Sequence, residues 1–223
     1  YYIIMNYSDI KSVIITQQDS NDFYFNIFTR HISIYLTYLF IKLKIKANQV
    51  TIFMVVPAII GIYFISKGTA INYLVGGMLL IFHDILDTCD GEICRYNNEY
   101  SNIGALSDSL IHFFSNFFMI YFSIIGISYI NNFDYIKEFS VLFAFIMAFD
   151  MYLKLKFNYI VLLNNNKLES ENSKRTSLFY KINSIFFGNV SFFHLIVITS
   201  LIDITIGLPF PHITYIYIIL FNF

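Results

Sequence analysis

The chain reads as an all-α integral membrane protein with about six transmembrane helices preceded by an amphipathic juxtamembrane helix. Three observations predict this. Of 223 residues, 57% are hydrophobic and 13% charged, with a mean hydropathy of +0.62; ordinary soluble domains carry about 25% charged residues. Apolar stretches approaching the roughly 20 residues needed to cross a bilayer recur along the chain. With the N-terminus inside, Arg30, Lys42, Lys44, Lys46, Arg95, Lys167, Lys174, Arg175 and Lys181 all fall on the cytoplasmic side, and only Lys67 and Lys137 face out. That asymmetry is the positive-inside pattern of a multi-pass protein of the cell (inner) membrane.

Residues 1–19 form an N-terminal segment. The chain opens on Tyr rather than Met, so this segment is expected to be the end of a trimmed or fused region, and it contains no cleavable signal peptide. Residues 20–48, that is Ser20, NDFYFNIFTRHISIYLTYLFIKLKIKA and Asn48, mix aromatics with lysines. They are expected to lie at the interface with the lysines toward lipid phosphates. Residues 49–223 form the transmembrane domain. Its first span runs from about Gln49 to Ser66, with Pro57 kinking it without ending it. A turn at Lys67 and Gly68 leads to a second span from about Ile71 to Ile93. The third covers about Ile103 to Ile130, the fourth about Phe139 to Leu163, and the fifth about Asn189 to Leu208. The last segment, HITYIYIILFNF, is shorter than a full span.

Several classes fall away. A net charge of -1 provides no basic surface for nucleic acid. Cys89 and Cys94, five apart on one predicted helix, cannot bring their sulfurs together and are expected to be reduced packing residues. His31, His83, His194 and His212 show no metal-ligand spacing. No internal repeat supports a transporter built from inverted halves.

The informative stretch is DILDTCDGEICRYNNEYSNIGALSDSLIH, which places Asp84, Asp87, Asp90 and Asp108 in otherwise apolar helices. An ionised carboxylate in hydrocarbon costs several kcal/mol unless neutralised. At about 100° per residue, Asp87, Asp90, Gly91 and Cys94 share one arc, while Gly104, Asp108 and His112 form an i, i+4, i+8 stripe on the next helix. The link YNNEYSN makes the two helices antiparallel neighbours, so carboxylates of one face a carboxylate and an imidazole of the other. Oxygen-rich clusters suit hard divalent cations such as Mg²⁺ or Mn²⁺. Gly91 and Gly104 leave room for a ligand against the backbone, and Arg95 is placed to meet phosphate oxygens. The bland alternative is a buried ion-pair network, but Arg95 alone cannot balance three carboxylates. Glu92 is expected to be solvated or interfacial, and Asp150 and Asp203 to be interfacial or, second, to bind the acceptor.

Read as D-x-x-D-G-x-x-C-R-x8-G-x-x-x-D-x-x-x-H, residues 87–112 closely resemble the signature of the CDP-alcohol phosphatidyltransferase family, D-x-x-D-G-x-x-A-R-x8-G-x-x-x-D-x-x-x-D. KIKANQVT likewise resembles the PN-x-x-T start of its first span. The resemblance implies a six-helix membrane enzyme, usually a homodimer, with two divalent cations, Mg²⁺ or Mn²⁺, at a cytoplasm-facing site. It would transfer a substituted phosphate from a CDP-linked donor to an alcohol acceptor, lipid or polyol, and release CMP, most often in phospholipid synthesis. Carried over, Asp87, Asp90 and Asp108 would ligate the metals, and Gly91, Cys94, Arg95 and Gly104 would line the CDP pocket.

Two positions depart from the signature. Cys94 replaces Ala, a small-for-small change. His112 replaces the fourth Asp, a metal ligand and proposed general base in the family. A neutral imidazole can still take the alcohol proton, and His112 is expected to be the base or a metal ligand. Asp84 has no counterpart in the signature and either caps a network or touches substrate. The competing readings are a catalytically silent scaffold of the same fold and a Mg²⁺-dependent membrane prenyltransferase. DILDTCD superficially resembles the acidic motif of the latter, which leaves D-G-x-x-C-R unexplained.

Overall fold

The computed structural model describes residues 11–12, 24–98, 102–131, 141, 145, 149, 189–207 and 211–222, and every element among them is helical. In order these are α1 (Tyr24–Lys42), α2 (Ala47–Phe53), α3 (Val55–Ile65), α4 (Ala70–Asn97), α5 (Asn102–Asn131), α6 (Asn189–Ile206) and α7 (His212–Asn222). Three stretches are long and apolar enough to cross a membrane: Ala47–Ile65, Ala70–Asn97 and Leu110–Ile127; Phe193–Ile206 is a shorter apolar helix. Large apolar side chains such as Ile52, Ile59, Tyr63, Phe114 and Ile206 stand exposed on their outer faces, which suits lipid and not water. The chain is a multi-pass membrane protein. The expected fourth span with Asp150, and the basic loop with Lys167, Lys174, Arg175 and Lys181, lie outside the described residues.

The first span is interrupted at the single residue Met54, whose φ of -64° and ψ of -19° are still helical, so Ala47–Ile65 continues as one crossing, kinked and not ended. Pro57 has no N–H to return to the carbonyl one turn earlier, so the ladder breaks at Met54, between α2 and α3. The carbonyl of Met54 is taken up by His83 Nδ1 at 2.9 Å.

Helix α4 is the hub, with α1, α2, α3 and α6 packed on it. Small residues permit this: a Cβ on Gly76 would stand 2.7 Å from the Gly61 carbonyl oxygen and 2.7 Å from Ile65 Cγ1, and one on Gly77 2.7 Å from Val197 Cγ2. Close backbone approach of this kind is how membrane helices gain packing energy without a hydrophobic drive. Gly76→Ala is therefore expected to destabilise the protein by about 1–3 kcal/mol, measured by SDS-titration unfolding in mixed micelles. Unchanged stability would mean that α3 can slide away freely.

Two apolar clusters divide the interior. One, around Tyr73, Leu80, Met119, Ile196 and Ile218, sits toward the α3–α4 turn. The other, of Val50, Met54, Ile85, Leu86, Cys89 and Ile93, backs the acidic face of α4. Helices α4 and α5 run antiparallel. Asp87 meets His112 toward one end, and the Tyr73 hydroxyl donates to the Ser123 carbonyl toward the other.

Asp203 stands near the end of α6. It is 1% exposed and caps α7, accepting from the backbone N–H of Ile213 (3.0 Å), that of Thr214 (2.9 Å) and the Thr214 hydroxyl (2.7 Å). A carboxylate there satisfies orphan donors at the helix start.

Candidate functional site

Helix α4 continues past the expected end at Ile93 to Asn97, where Asn98 closes it in the left-handed region at φ 54°. Asn is among the few residues that adopt this conformation readily. The extension keeps the whole run from Asp84 to Arg95 helical. Asp84, Asp87 and Asp90 then follow each other around one side of α4, about 60° and one rising turn apart. Their exposure grades along the helix: Asp84 is buried at 8%, while Asp87 and Asp90 are half-buried.

The two halves of the motif meet at Asp87 and His112, whose Oδ1 and Nε2 lie 2.9 Å apart, both side chains about 30% exposed (30% and 31%). A carboxylate can only accept, so Nε2 carries the proton and a neutral imidazole keeps its lone pair on Nδ1. His83, buried at 1%, sets its ring edge-to-face on that of His112, with centroids 5.9 Å apart. Its own Nδ1 donates to the Met54 carbonyl, which fixes the ring that backs His112. No metal spacing marked His83 in the sequence. Its place one turn before Asp87 is the signal that could have.

Asp90 is held by Thr51 of α2, whose Oγ1 lies 2.6 Å from Oδ2 and also 3.1 Å from the Ala47 carbonyl. Thr51 is the threonine of ANQVT, so the resemblance already pointed at it, though not at its partner. Gly91 has Arg95 folded over it: a Cβ there would stand 3.2 Å from Arg95 Nη1. The Arg95 Nε is buried without a hydrogen bond among the described residues. Cys94 is half-buried and Cys89 buried, both as free thiols.

Glu92 departs most from expectation. It is 0% exposed rather than solvated, accepting from Ser33 Oγ at 2.8 Å and Thr37 Oγ1 at 2.7 Å, both on α1 and both fully buried. Thr29, Ser33 and Thr37 make a hydroxyl stripe at i, i+4, i+8 on α1. The opposite face exposes Ile32, Tyr35, Leu39 and Leu43. The stripe was visible in the sequence, but nothing there named its acceptor.

Asp87, Asp90, Gly91, Cys94, Arg95 and His112 thus share one end of the α4–α5 pair. Gly104 and Asp108 fall on α5, and their side-chain surroundings lie outside the described residues. Among the described residues no three His, Cys, Asp or Glu side chains are gathered closely enough to hold a metal.

The sequence pattern of the CDP-alcohol phosphatidyltransferase family matches residues 44–216, well over half the chain and the whole of this site. The chain belongs to that family. No curated protein matches it in sequence. Membership of the CDP-alcohol phosphatidyltransferases makes it a membrane transferase of a phosphate-linked group from a CDP-alcohol to an acceptor, and the family uses divalent metal ions. The donor set fits such ions. Asp87 and Asp90 carry half-buried hard-oxygen donors, and one turn before Asp87 the buried Asp84 Oδ2 has no hydrogen bond among the described residues.

Proposed function

We propose that this protein transfers a substituted phosphate from a CDP-linked donor to an alcohol, releasing CMP, with His112 as general base, at the cytoplasmic face of the cell membrane and as a homodimer. The observation that carries this reading is the Asp87–His112 contact. It joins residues 25 apart in sequence and leaves a proton acceptor beside half-buried carboxylates. Asp87, Asp90 and Asp108 would hold two divalent cations, Mg²⁺ or Mn²⁺, which neutralise the diphosphate and the departing CMP. Gly91, Cys94, Arg95 and Gly104 line the donor pocket, with the Arg95 guanidinium toward phosphate oxygens.

Thr51 holds one Asp90 oxygen, and His112 holds one Asp87 oxygen. His112 Nδ1 takes the proton of the acceptor hydroxyl. The alcohol oxygen forms a bond to the phosphorus bearing the substituent, the bond from that phosphorus to the CMP oxygen breaks, and CMP leaves. Residues 49–223 carry this chemistry, and residues 20–48 supply the interfacial helix.

The test is CMP release by purified protein in nanodiscs. It uses a panel of CDP-linked donors, lipid extract and small polyols as acceptors, and added or chelated Mg²⁺ or Mn²⁺. Metal-dependent release with one donor, lost on Asp108→Ala, is expected. Release that persists in chelator, or no release alongside no CDP binding, would sink the reading; the second result would leave a silent scaffold.

A further inference from the structure

Asp84 is the one acid of the α4 ladder that the chemistry above does not use. It is more than nine-tenths buried, and its Oδ2 has no hydrogen bond among the described residues. Protonating it would not remove the problem, since a buried carboxylic O–H also needs a partner. Its ionisable neighbours are Asp87, one turn on, and the His112 ring. No Lys or Arg lies in the ladder between Asp84 and Asp90. His112 spends its Nε2–H on Asp87 Oδ1, and among the described residues Asp87 makes no other hydrogen bond, which leaves Asp87 Oδ2 for a ligand. Two carboxylate oxygens on one helix face, one buried and one at the site mouth, are a donor pair for a hard cation.

We propose that Asp84 is a ligand of a divalent cation shared with Asp87, bound one turn deeper than the CDP pocket. The inference rests on the divalent-cation reading given under Proposed function. Three Asp and two dications would leave that site near +1; Asp84 brings the sum to about zero.

Mn²⁺ binding to the purified protein, followed by the EPR signal of free Mn²⁺ without donor, tests this. Asp84→Asn keeps the volume and the hydrogen-bonding capacity, so it would satisfy a buried water but not a cation. It is expected to weaken Mn²⁺ binding about 10–100-fold. In the double variant Asp84→Asn, His112→Asp, a carboxylate returns from the facing helix, and affinity is expected to recover to within about tenfold of wild type. Wild-type affinity in Asp84→Asn would overturn the role of Asp84 while leaving the proposed function intact. No Mn²⁺ binding by wild-type protein would overturn both. Should Asp84→Asn not fold, the anomalous signal of Mn²⁺ in wild-type crystals decides. A peak within about 2.5 Å of an Asp84 oxygen is expected, and peaks only farther away overturn the proposal.

Discussion

His112→Ala is expected to slow CMP release by about 10²–10⁴-fold, the usual worth of a positioned general base. Binding of CDP should change little. The geometry makes the expectation specific. With Nε2–H donated to Asp87 at 2.9 Å, the ring is oriented and its tautomer set, so the lone pair sits on Nδ1. The His83 ring behind it limits rotation. Two roles compete for His112: taking a proton, or holding Asp87. His112→Gln separates them, because an amide N–H can still donate to Asp87 while the side chain cannot accept a proton at neutral pH. Turnover as slow as that of the alanine variant identifies the base. Recovery to near wild type assigns His112 to holding Asp87. The pH profile gives a second readout: the acid limb of kcat should be present in wild type and absent in both variants. An alanine variant with near-normal turnover across pH 6 to 9 ends the general-base assignment.

The helices and the acidic face were legible because both depend on local pattern. Apolar length marked the spans. The i, i+3 and i, i+4 spacings placed Asp87 and Asp90 toward His112, and the structure brings Asp87 and His112 into contact. What failed was whatever depends on a distant partner or on backbone detail. Pro57 reads as a kink, which holds, yet a missing N–H acts one turn earlier, so the interruption is at Met54. A lone acid near a helix end reads as solvated or interfacial; Glu92 is not solvated, and the partners of neither Glu92 nor Asp203 could be named from the sequence. Glu92 is buried by hydroxyls 55 and 59 residues earlier in the chain, and Asp203 by the start of a helix that follows two prolines. Asp84 shows the reverse case. The sequence marked it as unusual, and only its burial and unsatisfied oxygen separate a ligand from a network cap.

Glu92→Ala is expected to be the most destabilising change in the motif, at about 1–3 kcal/mol, because it takes the acceptor away from hydroxyls that stay buried. Thr37 would lose the acceptor of its hydroxyl at a site that is 0% exposed, in surroundings without bulk water, while Ser33 keeps only its 3.1 Å bond to the Arg30 carbonyl. Glu92→Gln should cost less, since its carbonyl oxygen keeps one hydroxyl while its NH₂ meets the other donor unfavourably. Removing the hydroxyls together with the acid, as Ser33→Ala, Thr37→Val, Glu92→Leu, should recover much of the loss, since an apolar contact of similar volume leaves nothing unsatisfied. SDS-titration unfolding of the set gives the coupling energy directly. If the single and combined variants lose equal stability, the carboxylate contributes packing alone. A large coupling makes Glu92 the tie that seats α1 on the catalytic helix. It lies between Gly91 and Arg95, so the position of α1 then also sets where the Arg95 guanidinium can reach.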